Sequence, residues 1–326
     1  MSRLWAGIDL GGTSIKAGIA NEAGELLIQD SIPTESHAGP RTVLDRCAAL
    51  IERLRSQLVA TEEFGGLGMG VPGLVDISNG TTRFLPNMPT HWRDVPVATV
   101  LRERLGCPVH LLNDVRTATL GELRFGHGRD RNGITLAFIA IGTGVGGGIV
   151  VDGRLRLGPF GAAGEVGHQT IIPDGPRCGC GNRGCLEALA SGPAISADGI
   201  RLMQMGLAPE LHRIVGGDSG KVTPREMHAA AEAGDEKILE VLKFAGGYIG
   251  IAAANIVTMV HPELIVLGGG VAGLGDVLVN TVRDVITQRV GMVPATSVQV
   301  ERTLLGSQAG LWGAIALAQS PPTVPA

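Results

Sequence analysis

Three cysteines and one histidine stand close together in GAAGEVGHQTIIPDGPRCGCGNRGCLE, residues 161–187. Cys178, Cys180 and Cys185 lie within eight positions, and His168 sits ten residues before the first of them. Three thiolates and an imidazole make a complete tetrahedral set for Zn²⁺, and four protein ligands leave no position for a catalytic water. The metal expected here is therefore structural. A disulfide is the weaker reading, because Cys178 and Cys180 are too close to pair with each other without strain and the total of five cysteines is odd. A zinc ribbon for nucleic acid would need two paired-cysteine knuckles in basic surroundings, and only Arg177 and Arg183 are nearby. Glu165 and Glu187 flank the cluster, and carboxylates suit the hydroxyl groups of a polar ligand. A metal clamp shaping a polar pocket is the expectation.

Two glycine-rich loops carry a second chemistry. Asp9-Leu10-Gly11-Gly12-Thr13-Ser14-Ile15-Lys16 places a carboxylate, backbone amides, a hydroxyl and an ammonium around one tight turn. Amides in such a turn form an anion-binding concavity within reach of Thr13 and Lys16. Asp9 would lie near a Mg²⁺ ion, through water, because magnesium keeps much of its hydration shell. Gly142-Thr143-Gly144-Val145-Gly146-Gly147 is the matching loop in the middle of the chain. It fits G-x-G-x-x-G, but that dinucleotide fingerprint needs a helix directly after the glycines, and here IVVDGRL follows, a strand and a turn. Gly68–Gly73 matches by accident and fails for the same reason. No G-x-x-x-x-G-K-[ST] occurs, which excludes a P-loop.

Leu111-Leu112-Asn113-Asp114 is the remaining reactive element. An apolar strand ends in Asn-Asp at the start of a helical run. Asp114 there is either a helix N-cap or a general base at the carboxyl end of a strand, where α/β sheets bind ligands.

The elements that must position these groups show an internal echo. AGIDLGGTSIKAGIANEAGEL and AFIAIGTGVGGGIVVDGRL each read as strand, glycine turn, strand, then a turn before a third strand. Strand–turn–strand with glycine turns signals a meander, and two copies suggest two related domains facing each other. Amphipathic helices are expected near 42–58, 97–104 and 235–258, with strands at 66–71, 109–112 and 264–267. A last helix near 307–318 is expected to pack back on the first domain.

Composition narrows the classes. With 326 residues the chain can hold two ordinary cores. Net charge is −4 and the pI about 6.1, which gives no footprint for nucleic acid. Fifty glycines are about twice the usual share, and they read as tight turns and backbone–ligand contacts. The apolar stretch AFIAIGTGVGGGIVV falls short of the roughly 20 residues of a membrane span, and MSRLWAGIDLGG lacks the pattern of a signal peptide. A cytoplasmic protein with reduced thiols is expected, with neither a membrane nor a nucleic-acid partner.

These motifs resemble the ROK family (repressors, open reading frames, kinases), within the larger actin–hexokinase–Hsp70 superfamily, over nearly the whole chain. Asp9, Gly11, Gly12, Thr13 and Lys16 match its first phosphate loop, and Gly142, Thr143 and Gly144 its second. Gly268, Gly269 and Gly270 resemble its adenosine-side loop, and residues 161–187 its zinc motif with His168, Cys178, Cys180 and Cys185. The resemblance implies two actin-like (ribonuclease H-like) α/β domains around an interdomain cleft, with a small zinc-bound insertion at 165–187. Residues 1–115, completed by a helix at about 305–319, would form the smaller domain and 116–304 the larger. It implies a hexose kinase using ATP and Mg²⁺, most like bacterial glucokinases, that phosphorylates glucose at its 6-hydroxyl. Asp114 would be the base. Gly73, Asn87, Asn113, Glu165, His168 and Glu187 would line the sugar, and His168 would share its other ring nitrogen with zinc. Kinases for N-acetylmannosamine, N-acetylglucosamine, mannose or fructose are the alternatives, as is a non-catalytic sugar sensor. The family's repressors carry an N-terminal helix-turn-helix module, whereas this sequence reaches its first loop by Asp9, so no such module is expected. The resemblance also implies a homodimer or homotetramer. Asn87-Met88-Pro89-Thr90-His91-Trp92 departs from the shorter Gly-Trp connection of many relatives, so the loop after Asn87 is expected to sit differently and His91 to have a chance of meeting substrate.

Overall fold

The computed structural model describes residues 3–58, 63–85, 88–89 and 92–322. It divides into two compact units, one of Met1–Gly133, Asp152–Gly164 and Leu304–Ala326, the other of Ile134–Val151 and Glu165–Thr303.

The first unit begins with the expected meander. Strands β1 (Arg3–Leu10), β2 (Ser14–Asn21) and β3 (Leu26–Pro33) pair antiparallel through short turns, the pairing that tight connections allow. Helix α1 (Pro40–Arg55) then crosses to β4 (Glu63–Val71). A small hairpin of β5 (Leu74–Asp76) and β6 (Thr81–Phe84) follows, then α2 (Val97–Leu105), β7 (Val109–Asn113) and α3 (Asp114–Arg124). The sheet order is β3-β2-β1-β4-β7, with β4 parallel to both β1 and β7. Asp9 pairs in register with Gly70, and Val71 with Asn113. The parallel arrangement therefore brings Asp9 and Asp114 to the carboxyl ends of β1 and β7, on either side of β4. One face of the sheet, with Ala6, Ile8, Leu10 and Ile15, packs on the buried stripe Val43, Leu44, Cys47, Leu50, Ile51 and Leu54 of α1. Cys47 is a core residue, its thiol pushed up to about 12 by burial.

The second unit repeats the plan. β8 (Leu136–Ile141) pairs antiparallel with β9 (Val145–Val151), and the turn Asp152-Gly153 then leads into β10 (Arg154–Arg156), a strand that counts with the first unit. The glycines of 142–147 run straight into β9, so no helix follows them and the dinucleotide reading is excluded. Four helices come next: α4 (Leu186–Ala190), α5 (Gly192–Gln204), α6 (Pro209–Val215) and α7 (Pro224–Glu232). After the long α8 (Glu236–Val260) come β11 (Leu264–Gly268), α9 (Asp276–Arg289) and β12 (Gln299–Arg302). The strands run β9-β8-β11-β12, with β11 parallel to β8 and to β12. By length and apolarity α8 would suffice to cross a bilayer, but Ile238, Leu242, Ile249, Ala253, Ile256 and Val257 are buried in this unit's core. It is a core helix by packing.

The chain then returns to the first unit as α10 (Ala309–Gln319), which packs on β1, β4 and α3. α3 packs on α10 and β4, and the first unit so divided runs on to Gly133, past the boundary expected at residue 115. Glycine makes this packing possible. A Cβ at Gly68 would collide with the carbonyl of Ala314, and one at Gly313 with the carbonyl of Thr117. Close backbone approach of sheet to helix and helix to helix is thus a third use of glycine, beside the turns and ligand loops expected from sequence.

Candidate functional site

In the first unit, Asp9 is the last residue but one of β1 and faces Lys16 across the β1–β2 hairpin. The loop between them is tied down at both ends. Gly11 N donates to Ser14 O at 2.9 Å, Thr34 Oγ1 donates to Gly11 O at 2.7 Å, and Thr34 N donates to Thr13 O at 2.9 Å. Lys16 Nζ donates to the carbonyl of Ser307 at 2.7 Å, just before α10. The Asp9 carboxylate lies against Gly310, where a Cβ would come within 2.6 Å of Asp9 Cγ. A carboxylate at the first turn of a helix is favoured by the unpaired amides there. The segment 307–310 therefore forms part of this site, although it lies about 300 residues away in sequence.

The sequence left Asp114 as either helix N-cap or general base, and the structure gives the cap to its neighbour instead. Asn113 is the N-cap: its Oδ1 accepts from Val115 N at 3.1 Å and from Arg116 N at 3.3 Å. Asp114 is the first helical residue, with Oδ1 accepting from Val115 N at 2.8 Å. Asn113 Nδ2 also donates to Gly73 O at 3.0 Å, joining the end of β7 to the turn after β4. Gly73 has φ +88°, so its backbone can turn there without the strain a side chain would add.

Charge at these strand ends is unusual. Burial, then the neighbouring Asp9 charge, pushes the Asp114 carboxyl up from 3.8 to about 6, partly offset by its hydrogen bond from Val115 N. Burial also raises Asp9, against the attraction of Lys16. Two carboxyls held near each other and largely shielded from water do not both ionise at their ordinary pH. Asp114 is consequently a carboxylate at neutral pH that accepts a proton readily.

In the second unit the loop Gly142–Gly144 is equally fixed. Gly142 N donates to Gly144 O at 2.8 Å, and Gly192 N donates to Gly142 O at 2.8 Å. Gly268 ends β11 beside Phe138 of β8, and a Cβ at Gly269, where φ is +80°, would run into the backbone of Ile141. The loops at 142–144 and 268–270 are therefore neighbours at the carboxyl ends of two parallel strands. Glu187 Oε2 accepts from Val145 N at 3.0 Å, and a side chain at Gly144 would meet the same oxygen. Its Oε1 lies 3.8 Å from Cys178 Sγ. Glu187 thus joins the second loop to the cysteine cluster.

That cluster has the geometry of a metal site. The ligand atoms of His168, Cys178, Cys180 and Cys185 all lie within 4.8 Å of one another. Cys178 Sγ is 3.7 Å from His168 Nδ1, and Cys180 Sγ is 3.7 Å from Cys185 Sγ. A tetrahedron with Zn–S bonds of about 2.3 Å has S···S edges of about 3.8 Å, so the donor set fits zinc in both chemistry and size. Burial and the adjacent thiols push Cys185 up to about 12, a value that a bound dication would reverse. With Nδ1 facing Cys178, the other ring nitrogen of His168 lies 3.9 Å from Glu165 Oε2. Asn87 and His91 lie outside the described residues.

A profile of the ROK family matches residues 5–320. The chain belongs to the ROK family. Among its relatives are a glucokinase of Halalkalibacterium halodurans, 34% identical over 95% of this chain and 93% of that protein, and a xylose repressor of Caldicellulosiruptor bescii, 30% identical over 95% of this chain and 77% of that protein. A solved structure described as a ROK family glucokinase from Streptomyces griseus in complex with glucose and AMPPNP superposes with a TM-score of 0.83. It is 31% identical, covering 97% of this chain and 99% of that one. The paired meanders, and the loops that follow from them, are the ROK fold.

Within this ROK chain the structure adds residues that sequence reasoning passed over. Thr34 anchors the first loop from outside the motif. Arg116 is almost fully buried, with its guanidinium on Asn113 and on the carbonyls of Ala162 and Ala163. An arginine in an amphipathic helix reads as a solvated charge, and the only available signal was its position two residues after Asp114.

Proposed function

We propose that this protein is an ATP-dependent hexose kinase that transfers the γ-phosphoryl group of ATP to the 6-hydroxyl of glucose. The observation that carries the reading is Asp114, at the end of β7 with its carboxyl pushed up to about 6 beside Asp9. A general base works best when its pKa lies near the operating pH. Asp114 takes the proton of the 6-hydroxyl as that oxygen attacks the γ-phosphorus; the bond to the bridging oxygen breaks and ADP leaves with the electron pair. The transition state is loose, so the protein contributes alignment and charge neutralisation more than covalent chemistry.

Asp9, Gly11, Gly12, Thr13 and Lys16 are assigned to the phosphates and their Mg²⁺ ion, Gly142, Thr143 and Gly144 to the phosphates, and Gly268, Gly269 and Gly270 to the adenosine. Asp9 would hold the Mg²⁺ ion, whose charge would offset that of the phosphates. Gly73, Asn87, Asn113, Glu165, His168 and Glu187 are assigned to the sugar hydroxyls. His168, Cys178, Cys180 and Cys185 would hold a structural Zn²⁺, which supplies no chemistry beyond fixing the ring plane and tautomer of His168. The glucokinase relative and the glucose complex of a related structure support glucose over other hexoses. The test is a coupled ADP-release assay with Mg·ATP against glucose, mannose, fructose, N-acetylglucosamine and N-acetylmannosamine. Glucose should give the highest kcat/KM. A preference for an N-acetyl sugar would move the assignment at C2, and sugar binding without turnover would make the protein a sensor.

A further inference from the structure

Arg116 is the most buried charged side chain whose contacts converge on the reactive strand end, and the kinase reading leaves it without a role. Its side chain is 2% exposed. Nη1 donates to Asn113 Oδ1 at 3.0 Å, Nε donates to Ala163 O at 3.1 Å, and Nη2 donates to Ala162 O at 3.2 Å. A planar guanidinium is suited to hold three such acceptors at fixed angles.

The consequence falls on Asn113. Its Oδ1 already accepts from Val115 N, Arg116 N and Arg116 Nη1, which uses the capacity of an amide oxygen. Its Nδ2 donates to Gly73 O, and the amide keeps one N–H for a ligand. The arginine therefore forbids the flipped amide, since a flipped Asn113 would point two donors at a guanidinium. Asn113 can address a sugar only as a donor, next to Asp114, which can address it only as an acceptor. The other arm of the same guanidinium fixes the carbonyls of Ala162 and Ala163, immediately before Gly164 and Glu165 in the chain.

We propose that Arg116 is a positioning residue for sugar recognition: it sets the polarity of Asn113 and anchors the segment that leads to Glu165. The inference rests on the kinase reading. A hydroxyl is both donor and acceptor, so this arrangement selects a ligand whose hydroxyl accepts from Asn113 while it or its neighbour donates to Asp114.

The experiment compares wild type with Arg116→Met, Arg116→Lys, Asn113→Ala and Asn113→Ala/Arg116→Met, each checked for cooperative thermal unfolding. Arg116→Met should raise the hexose KM about tenfold or more, as expected for losing charge-assisted hydrogen bonds at a buried site, while the Mg·ATP KM stays within about twofold. Arg116→Lys should recover part of that loss, because an ammonium replaces some donors without the fork. In the Asn113→Ala background the Met change should raise the hexose KM by clearly less than in wild type, since the part acting through Asn113 is already lost and only the hold on Ala162 and Ala163 remains. A structural role alone would lower Tm and kcat and leave both KM values unchanged, and that result in folded variants would overturn the proposal. So would an effect of equal size in the Asn113→Ala background. If Arg116→Met does not fold, Arg116→Lys carries the KM comparison. Wild type that neither binds nor turns over any hexose would instead overturn the kinase reading itself.

Discussion

Replacing Asp114 by Asn should make the protein more stable at neutral pH while removing its activity. The folded carboxyl sits at about 6, against 3.8 for an ordinary aspartate. Because the folded value lies above the unfolded one, the group favours folding below pH ~4, where it is protonated in both states. That contribution is lost as the pH rises through 6, and above pH 7 the ionised carboxylate costs stability. At 1.36 kcal/mol per pH unit the gap amounts to at most about 3 kcal/mol, and solvent at the edge of the site reduces it to between about 1 and 3 kcal/mol. An asparagine is nearly isosteric, keeps an oxygen to accept from Val115 N, and carries no charge. The variant should thus melt several degrees higher at pH 7.5, at about 2–4 °C per kcal/mol for a unit of this size. The assay is thermal or urea unfolding of both proteins without ligands from pH 4 to pH 8. The difference should shrink towards zero near pH 4. An Asn variant no more stable than wild type at pH 7.5, or a difference independent of pH, would refute the claim that Asp114 is held as a strained, proton-hungry carboxylate.

The same groups make further predictions. The kcat/KM of wild type for sugar should fall on an acid limb near pH 6, as Asp114 protonates, and Asp9→Asn should move that limb to lower pH because it removes the second cause of the raised value; a limb that stays in place would separate the two carboxyls. Because the carboxyls interact, the limb belongs to the pair and is best read from its displacement. Cys180→Ser should lower bound zinc from one per chain and raise the sugar KM about tenfold, through the loop that carries Glu165 and His168; full metal content by mass spectrometry would exclude Cys180 as a ligand. Gly313→Ala should lower Tm despite a gain in helix propensity of about 1 kcal/mol, because its Cβ would collide with the Thr117 carbonyl, where no flexible side chain can give way. Unchanged or raised thermal stability would show that α3 and α10 can separate freely.

Much of this was legible in the sequence because the signals were local. The glycine turns after Leu10 and Ile141 sit between apolar runs too short for anything but hairpins, and both meanders formed as expected. The three closely spaced cysteines together with His168 already named the four ligand atoms that gather. What escaped depended on contacts between distant segments. Ser307 and Gly310 meet Lys16 and Asp9 only because α10 returns to the first unit. The packing of α3 was not legible for the same reason, since its partner α10 lies at the far end of the chain. The sequence pattern offered Asp114 as the N-cap, and the hydrogen bonds assign that role to Asn113. Arg116 was hidden because burial of a charged residue leaves no periodic signature.

Formation of glucose 6-phosphate from glucose and Mg·ATP, followed by mass spectrometry for wild type and Asp114→Asn side by side, tests the central claim most directly. Wild type should form one glucose 6-phosphate for each ADP released, and the Asn variant should bind glucose yet lose about a hundredfold or more in kcat, the scale of a missing general base. An Asn variant within about tenfold of wild type would remove Asp114 from the chemistry, and ADP release without sugar phosphate would contradict the reaction itself.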